Sequence, residues 1–370
     1  MVSIVTDKKP DVLIIGGGIV GLWSAWVAAR RGLDVRLVEK RTLASGASGG
    51  MLGALMPHHP GGWSEKKQFQ LNGLLTLPDL ISELERETSL SCGYGRVGRV
   101  QPIGHPEKRR QSHAWVEGAQ THWPSHTDWT IRNDHPAPDW ASCDAPSGWN
   151  TDTLSARVNP RAMVSALAKW VRTHPDIDVR EGECVTNLPD AQPTILSAGT
   201  GTFQLLDPQN PKRIGKGVKG QGALLKPSKP VDPNGPIIYD NGIYVIAHAD
   251  GTIAVGSTSE NAFTDAETTD DKLEAVIDAS RSICAPLRDA DVLERWAGVR
   301  PKAGKPDPLL GPLPDRQNII IATGGFKITF AIAHIMAEKA VAMACGQTAE
   351  VPELFLPSQR FQPLQSSVSG

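Results

Sequence analysis

Apolar positions arrive in blocks along this chain, and the spacing inside each block names an element. Asp11 to Ile15 is a short aliphatic run without alternation, the pattern of a strand buried on both faces. Gly16-Gly17-Gly18 breaks it, and Ile19 to Arg31 reads as a helix stopped by Gly32. Asp34 to Glu39 alternates as a second strand, completing a strand–helix–strand entry. Pro78 to Thr88 has the spacing of an amphipathic helix, and Asn159-Pro160 opens another that runs to Arg172. Strand-like segments follow at 177–180 and 194–198, and Tyr239 to Ser257 holds two strands around the Ala249-Asp250-Gly251 turn. Thr269 to Ala285 is helical. Ile319 to Ala322 is a further aliphatic strand, ending at Thr323-Gly324-Gly325 before a small-residue helix from Thr329 to Cys345. The region from His113 to Asn150 differs: Trp115, Trp123, Trp129, Trp140 and Trp149 lie among prolines and histidines. Short strands and loops are expected there, as part of a cap over a substrate pocket. The polar tail after Pro352 is expected to fray.

Composition narrows the class. The 370 residues exceed one ordinary core and suit two domains. A net charge of -2 with 21% charged residues gives no basic field for nucleic acid. The local clusters Lys108-Arg109-Arg110 and Lys212, Arg213, Lys216 and Lys219 read as solvated faces. From Val12 to Ala29 no residue is charged, but four glycines interrupt the run, so strand, turn and helix explain it better than a membrane span. Five scattered cysteines without a CxxC pair indicate neither zinc nor a disulfide framework. A soluble, cytoplasmic protein with reduced thiols and no metal is expected.

The sharpest chemical signal is Gly16-Gly17-Gly18-Ile19-Val20-Gly21, with Glu39 closing the next strand. In a GxGxxG pattern the first glycine makes the tight turn. The second admits a pyrophosphate, and the third lets helix and sheet approach. The helix N-terminus offers free N–H groups to the phosphates, and Glu39 stands where an acid accepts the ribose hydroxyls. NAD and FAD share this fingerprint. The other segments that bear on the choice are Lys40-Arg41, Ser45-Gly46-Ala47-Ser48-Gly49-Gly50-Met51, Trp296-Ala297-Gly298-Val299-Arg300-Pro301, Leu310-Gly311-Pro312-Leu313-Pro314 and Ala322-Thr323-Gly324-Gly325-Phe326-Lys327.

Together these resemble the D-amino-acid oxidase-like superfamily of FAD-dependent oxidoreductases, within it the glycine oxidase and sarcosine oxidase branch. The resemblance runs in patches from about residue 10 to about 345 and is weak between 90 and 150. It implies an α/β fold in which a Rossmann-like FAD domain of the glutathione-reductase type interleaves with a substrate domain on a mixed or antiparallel sheet. Residues 1–57, 150–205 and 296–350 would form the first, 58–149 and 206–295 the second, and 351–370 a tail. Ser45, Ala47, Ser48, Gly49, Gly50 and Met51 would follow the cofactor toward its flavin ring. Val185, with Ala198-Gly199, would meet the adenine nucleotide. Gly324, Gly325, Phe326, Lys327, Ile328 and Thr329 would face the flavin's pyrimidine side, where a helix N-terminus stabilises negative charge.

On the substrate side the resemblance implies that Arg300 holds a carboxylate and Tyr244 touches it, while Met51 lines the pocket. A structural ion pair for Arg300, and core packing for Tyr244 and Met51, stay open. Where the branch tends to carry His-Phe-Arg, this chain has Gly325-Phe326-Lys327, so Lys327 would act as a point charge on substrate, flavin or dioxygen. His58-His59 are candidate base, substrate contact or flavin attachment, or plain loop histidines.

The implied reaction is oxidation of a small amine or amino acid by hydride transfer to flavin N5, with hydrolysis of the resulting imine. Dioxygen or an electron carrier would reoxidise the cofactor. A 2-hydroxy-acid or polyol dehydrogenase is the alternative, needing His58, His59 or His248 as base. An RNA-modifying flavoprotein or a non-catalytic flavin-binding subunit are alternatives of another class. Gly46-Ala47-Ser48-Gly49-Gly50 satisfies GxSxG but lacks the strand that a nucleophile elbow needs. His122 and His126 are separated by Pro124, which argues against one helix face binding zinc.

Overall fold

The computed structural model describes residues 9–304 and 308–361. The chain begins as its pattern predicts, with β1 (Val12–Ile15), α1 (Ile19–Arg30) and β2 (Val35–Glu39), and Gly32 at φ 75° stops the helix. β1 and β2 are parallel neighbours in a six-stranded sheet. The other members are β8 (Ile177–Glu181), β9 (Thr194–Leu196), β15 (Leu309–Leu313) and β16 (Arg316–Thr323). The order is β15-β16-β9-β1-β2-β8, and every pairing is parallel except the β15–β16 hairpin. Helix α1 packs against α4 (Pro160–Thr173) and α7 (Thr329–Ala344), and α2 (Glu65–Thr88) packs on both. Trp23, Leu22, Met163 and Met336 are fully buried in this layer.

An eight-stranded sheet forms the second layer. Its order is β14 (Asp291–Ala303), β10 (Gly215–Lys226), β13 (Ile253–Gly256), β12 (Ile243–Ala247), β11 (Ile237–Asp240), β4 (Arg99–Pro102), β6 (Trp149–Asp152) and β5 (Trp129–Arg132). Only β11 and β4 pair in parallel, so the sheet is mixed. α6 (Asp271–Ile283) covers one face with Leu273 and Ile277 buried. Positions 150 and 296, two of the expected domain boundaries, fall inside β6 and β14. A two-stranded ribbon of β3 (Ala54–Leu55) and β7 (Ala156–Arg157), and the short α5 (Gly201–Leu206), complete the framework.

Several expectations are corrected. The helix expected from Pro78 starts at Glu65, capped by Ser64, because Leu74, Leu77, Ile81 and Leu84 continue one buried stripe through the proline. Part of the segment expected as strands and loops is instead α3 (Pro106–His122), which buries only Ser112 and Ala119 and so shows little periodicity. Tyr239 to Ser257 contains three strands, because Asn241 and Gly242 both take positive φ (45° and 88°) and make a tight hairpin turn. Lys219 is buried in β10, unlike its exposed neighbours Lys212, Arg213 and Lys216. The tail does not fray through 361: Phe355 is fully buried, edge-on to Phe69 with ring centroids 5.2 Å apart. Its remaining residues, 362–370, lie outside the described residues.

The deepest ion pair among the described residues joins Arg99 of β4 to Asp152 of β6, 2.7 Å apart, with side chains 3% and 0% exposed. Removing one partner of a buried pair leaves an uncompensated charge. Asp152→Ala is therefore expected to cost about 3–5 kcal/mol, read as a lower urea midpoint.

Candidate active site

One cavity of about 1370 Å³ opens at the carboxyl ends of β1, β2, β9 and β16 and continues under the second sheet. That position is where open α/β sheets bind ligands. Its volume exceeds the roughly 300–1,000 Å³ of sites for drug-sized ligands, leaving room for a dinucleotide together with a small substrate.

The glycine-rich turn forms one end. Gly16 has φ 107°, and a Cβ there would lie 2.6 Å from the Ala198 Cα. A Cβ on Gly21 would lie 1.8 Å from the Gly16 carbonyl oxygen, so only glycine lets α1 pack this close. The first turn of α1 holds no acid, and Ser48 Oγ accepts the Ile19 N–H at 3.0 Å from across the cavity mouth. The Glu39 carboxylate accepts the N–H groups of Gly17 (2.8 Å) and Arg41 (2.9 Å). Glycines that leave a backbone cradle, an acid-free helix N-terminus and a carboxylate at the end of β2 together fit a dinucleotide.

Sequence candidates from widely separated stretches of the chain converge here. Gly16, Gly18, Ile19, Val20, Glu39, Lys40 and Arg41 line the cavity, as do Ser45, Ala47, Ser48, Gly50, Met51 and His58. Val185, Ala198, Gly199, Tyr244, Arg300, Gly324, Phe326, Lys327, Ile328 and Thr329 do so too. Gly21, Gly49 and Gly325 do not line it. Gly21 supports the turn from behind, and the Gly49 carbonyl is held by Arg161 Nε at 2.8 Å, an arginine that also grips Glu294 with both terminal nitrogens. A Cβ on Gly325 would lie 2.7 Å from Thr329 Oγ1, whose hydroxyl donates to the Phe326 carbonyl and secures the turn before α7.

At the far end, β14 carries Arg300 across β10. The guanidinium lies over Gly220, where any Cβ would come within 1.9 Å of Nη1. Among the described residues it donates only to the Thr258 carbonyl, at 3.3 Å. Tyr244 faces it from β12, with the Tyr239 ring 4.8 Å away. Burial, then Tyr239, pushes the Tyr244 hydroxyl up to about 12, so it stays protonated and able to donate. Lys327 lies 5.8 Å from the Tyr244 ring centroid. Loss of water around it, and then the charges of Arg300 and Lys302, lower its pKa.

His58 is engaged by Gln70, whose Oε1 meets both its backbone N–H and its ring Nδ1. His59 stacks on Trp115 at 3.9 Å and nearly parallel. Burial, then the Arg99 charge, push its pKa down to about 4. His248 does not line the cavity; its Nε2 meets the Met51 carbonyl at 2.8 Å. His122 stacks on Trp63. Among the described residues no group of three His, Cys, Asp or Glu side chains is placed to hold a metal ion. Sequence reasoning missed Arg99, Gln70 and Tyr239, all on the cavity wall. Arg99 and Gln101 alternate with Val100, buried at 2%, and that alternation was the available signal.

Comparison with known proteins agrees with this geometry. The family model "FAD dependent oxidoreductase" (DAO) matches residues 11–339, so the chain belongs to that family of flavoenzymes. FAD is its cofactor. Among curated relatives, the glycine oxidase of Pseudomonas aeruginosa is 26% identical over 333 residues, covering 85% of this chain and 89% of that one. The bifunctional protein ThiO/ThiG of Nostoc sp. is 25% identical over 88% of this chain, which spans 51% of that longer protein. The crystal structure of glycine oxidase from Geobacillus kaustophilus superposes with a TM-score of 0.85 at 18% identity, covering 96% of this chain and 100% of that one; it shares the fold. Among the described residues no helix is long and apolar enough to cross a membrane.

Two measurements probe the site. Glu39→Ala removes the acid at the end of β2 and is expected to weaken FAD binding about 5- to 30-fold, read by quenching of flavin fluorescence on titrating apoprotein. The second concerns His59, whose folded pKa of about 4 lies below the ordinary 6.5. The unfolded chain therefore binds the proton first, and stability present above pH 6.5 is lost as pH falls toward 4. His59→Phe keeps the stack and cannot protonate, so its melting temperature should fall less steeply across that window.

Proposed function

We propose that this chain oxidises the C–N bond of a small amino acid or N-substituted amino acid, with the substrate carboxylate on Arg300 and Tyr244 donating beside it. One observation carries the reading: Arg300 and Lys327 face one end of the cavity with no carboxylate partner among the described residues. A guanidinium held in a partly dry slot without a counter-ion is costly, and an arriving carboxylate offsets that cost. Its planar fork takes both oxygens at once. Lys327 adds a point charge, and the cavity walls around Met51 and Phe326 displace water from the reacting carbon. Bound FAD supplies the acceptor for the hydrogen and electron pair that leave that carbon. The amine then becomes an imine that water hydrolyses. Dioxygen or an electron carrier would complete the cycle.

In this reading the six-stranded sheet with the helices packed on it holds the cofactor. The eight-stranded sheet, whose edge strand β14 carries Arg300, holds the substrate. Glycine oxidases among the relatives support an amine donor. Alcohol oxidation needs a base for the hydroxyl proton, and His59, with its pKa near 4, is a weak one. His58 is occupied by Gln70.

Anaerobic titration with amino acids, N-methyl amino acids and 2-hydroxy acids tests the proposal. Bleaching of the visible flavin band by an amino compound is expected, and Arg300→Met should raise its KM about 10- to 100-fold. Bleaching by hydroxy acids alone overturns it.

A further inference from the structure

Resting on that reading, we infer that Arg99 is a second anion anchor in the same cavity, and that the substrate is an amino or imino dicarboxylate. The argument begins with what Arg99 lacks. Its side chain is 3% exposed, yet among the described residues only Nε makes a hydrogen bond, donating to Asp152 Oδ2 at 2.7 Å. Nη2 has no hydrogen-bond partner among the described residues, although the residue lines the cavity. Asp152 is largely spent on Ser155, accepting its N–H at 2.6 Å and its hydroxyl at 2.9 Å. Arginines that serve structure in this chain look different. Arg161 grips Glu294 with two nitrogens at 2.7 Å each, and buried Arg157 donates to the carbonyls of Pro233 and Gly93. A buried guanidinium carrying five donors ordinarily finds partners for them.

The setting of Arg99 suits a ligand. Its guanidinium carbon lies 4.6 Å over the Trp129 ring, a cation–π contact. Arg99 pairs with Ile237 of β11, Tyr239 lies two residues along that strand, and its ring is 4.8 Å from that of Tyr244, so Arg99, the two tyrosines and Arg300 line the same cavity. The acids that line the cavity lie toward the glycine-rich end. The Glu183 N–H donates to the Glu39 carbonyl, and Glu267 pairs with Arg41 at 2.6 Å. His59, beside Arg99, is held neutral. The substrate end therefore presents Arg99, Arg300 and Lys327 against no free acid among the described residues. A molecule with one carboxylate would satisfy Arg300 and leave the Arg99 donors idle. A second carboxylate would take up Arg99 as a charge-assisted pair.

Three matched pairs test this in the FAD-loaded enzyme: iminodiacetate against sarcosine, aspartate against alanine, and glutamate against 2-aminobutyrate, each amino acid as both enantiomers. Members of a pair differ by one carboxylate replaced with hydrogen. At least one diacid is expected to reduce the flavin anaerobically with kcat/KM about 10-fold or more above its partner. A readout without turnover uses thiodiglycolate and (methylthio)acetate, whose dissociation constants from calorimetry should differ in the same direction. Arg99→Lys keeps a charge beside Asp152 but loses the fork, and should bring both ratios toward one. If that variant does not fold, the wild-type ratios alone decide. Every monoacid matching or exceeding its diacid overturns the second anchor and leaves the amine oxidation reading standing. No reduction by either class removes both.

Discussion

The nearness of α1 to the turn that launches it governs the rest of this molecule. Gly21 brings the helix backbone onto the Gly16 carbonyl, and Gly16 in turn lies against Ala198 beyond the end of β9. Three backbone stretches from different parts of the chain thus meet without a side chain between them. The helix N-terminus is left pointing into open space, and the carboxyl ends of four parallel strands open beside it. Were any of these contacts wider, the dipole of α1 would lose its aim and the cavity its floor.

A second constraint joins the two layers. β14 and β10 run antiparallel over their full length, with Val218 opposite Arg300 and Gly220 opposite Gly298. That register places Arg300 over an empty glycine position and aims it into the cavity. In the same cavity the carboxylates stand near the nucleotide cradle, where Lys40 and Arg41 accompany them, and the substrate end holds Arg99, Arg300 and Lys327. Such an arrangement orients an anionic molecule before contact and keeps like charges apart.

The first fifty residues were legible because their signal is local: an aliphatic run, glycines at fixed spacing, a helical block and a terminal acid. The segments that line the cavity were also readable, since each is a short glycine-rich stretch next to a strand or helix. Long-range causes were not. β10 carries glycines and lysines that resemble a polar loop, and the reason for Gly220 lies on β14, eighty positions away. α3 shows no stripe because it buries almost nothing, and Pro78 mimicked a helix start inside a continuous buried face. Arg99 was visible as a charge within an alternating strand, but that its Nη2 lacks a partner among the described residues is a fact of three dimensions.

The order of the six-stranded sheet has a consequence for biosynthesis. β1, β2, β8 and β9 are all made early, yet β9 pairs on its far side with β16, near the end of the chain. The whole of β10 to β15 must leave the ribosome before that edge is covered. Until then the nascent protein carries an aliphatic strand with unpaired N–H and carbonyl groups, a template for pairing with other chains. Holding such an intermediate apart from its copies is a task for chaperones, and it ties the yield of folded enzyme to the pace of translation.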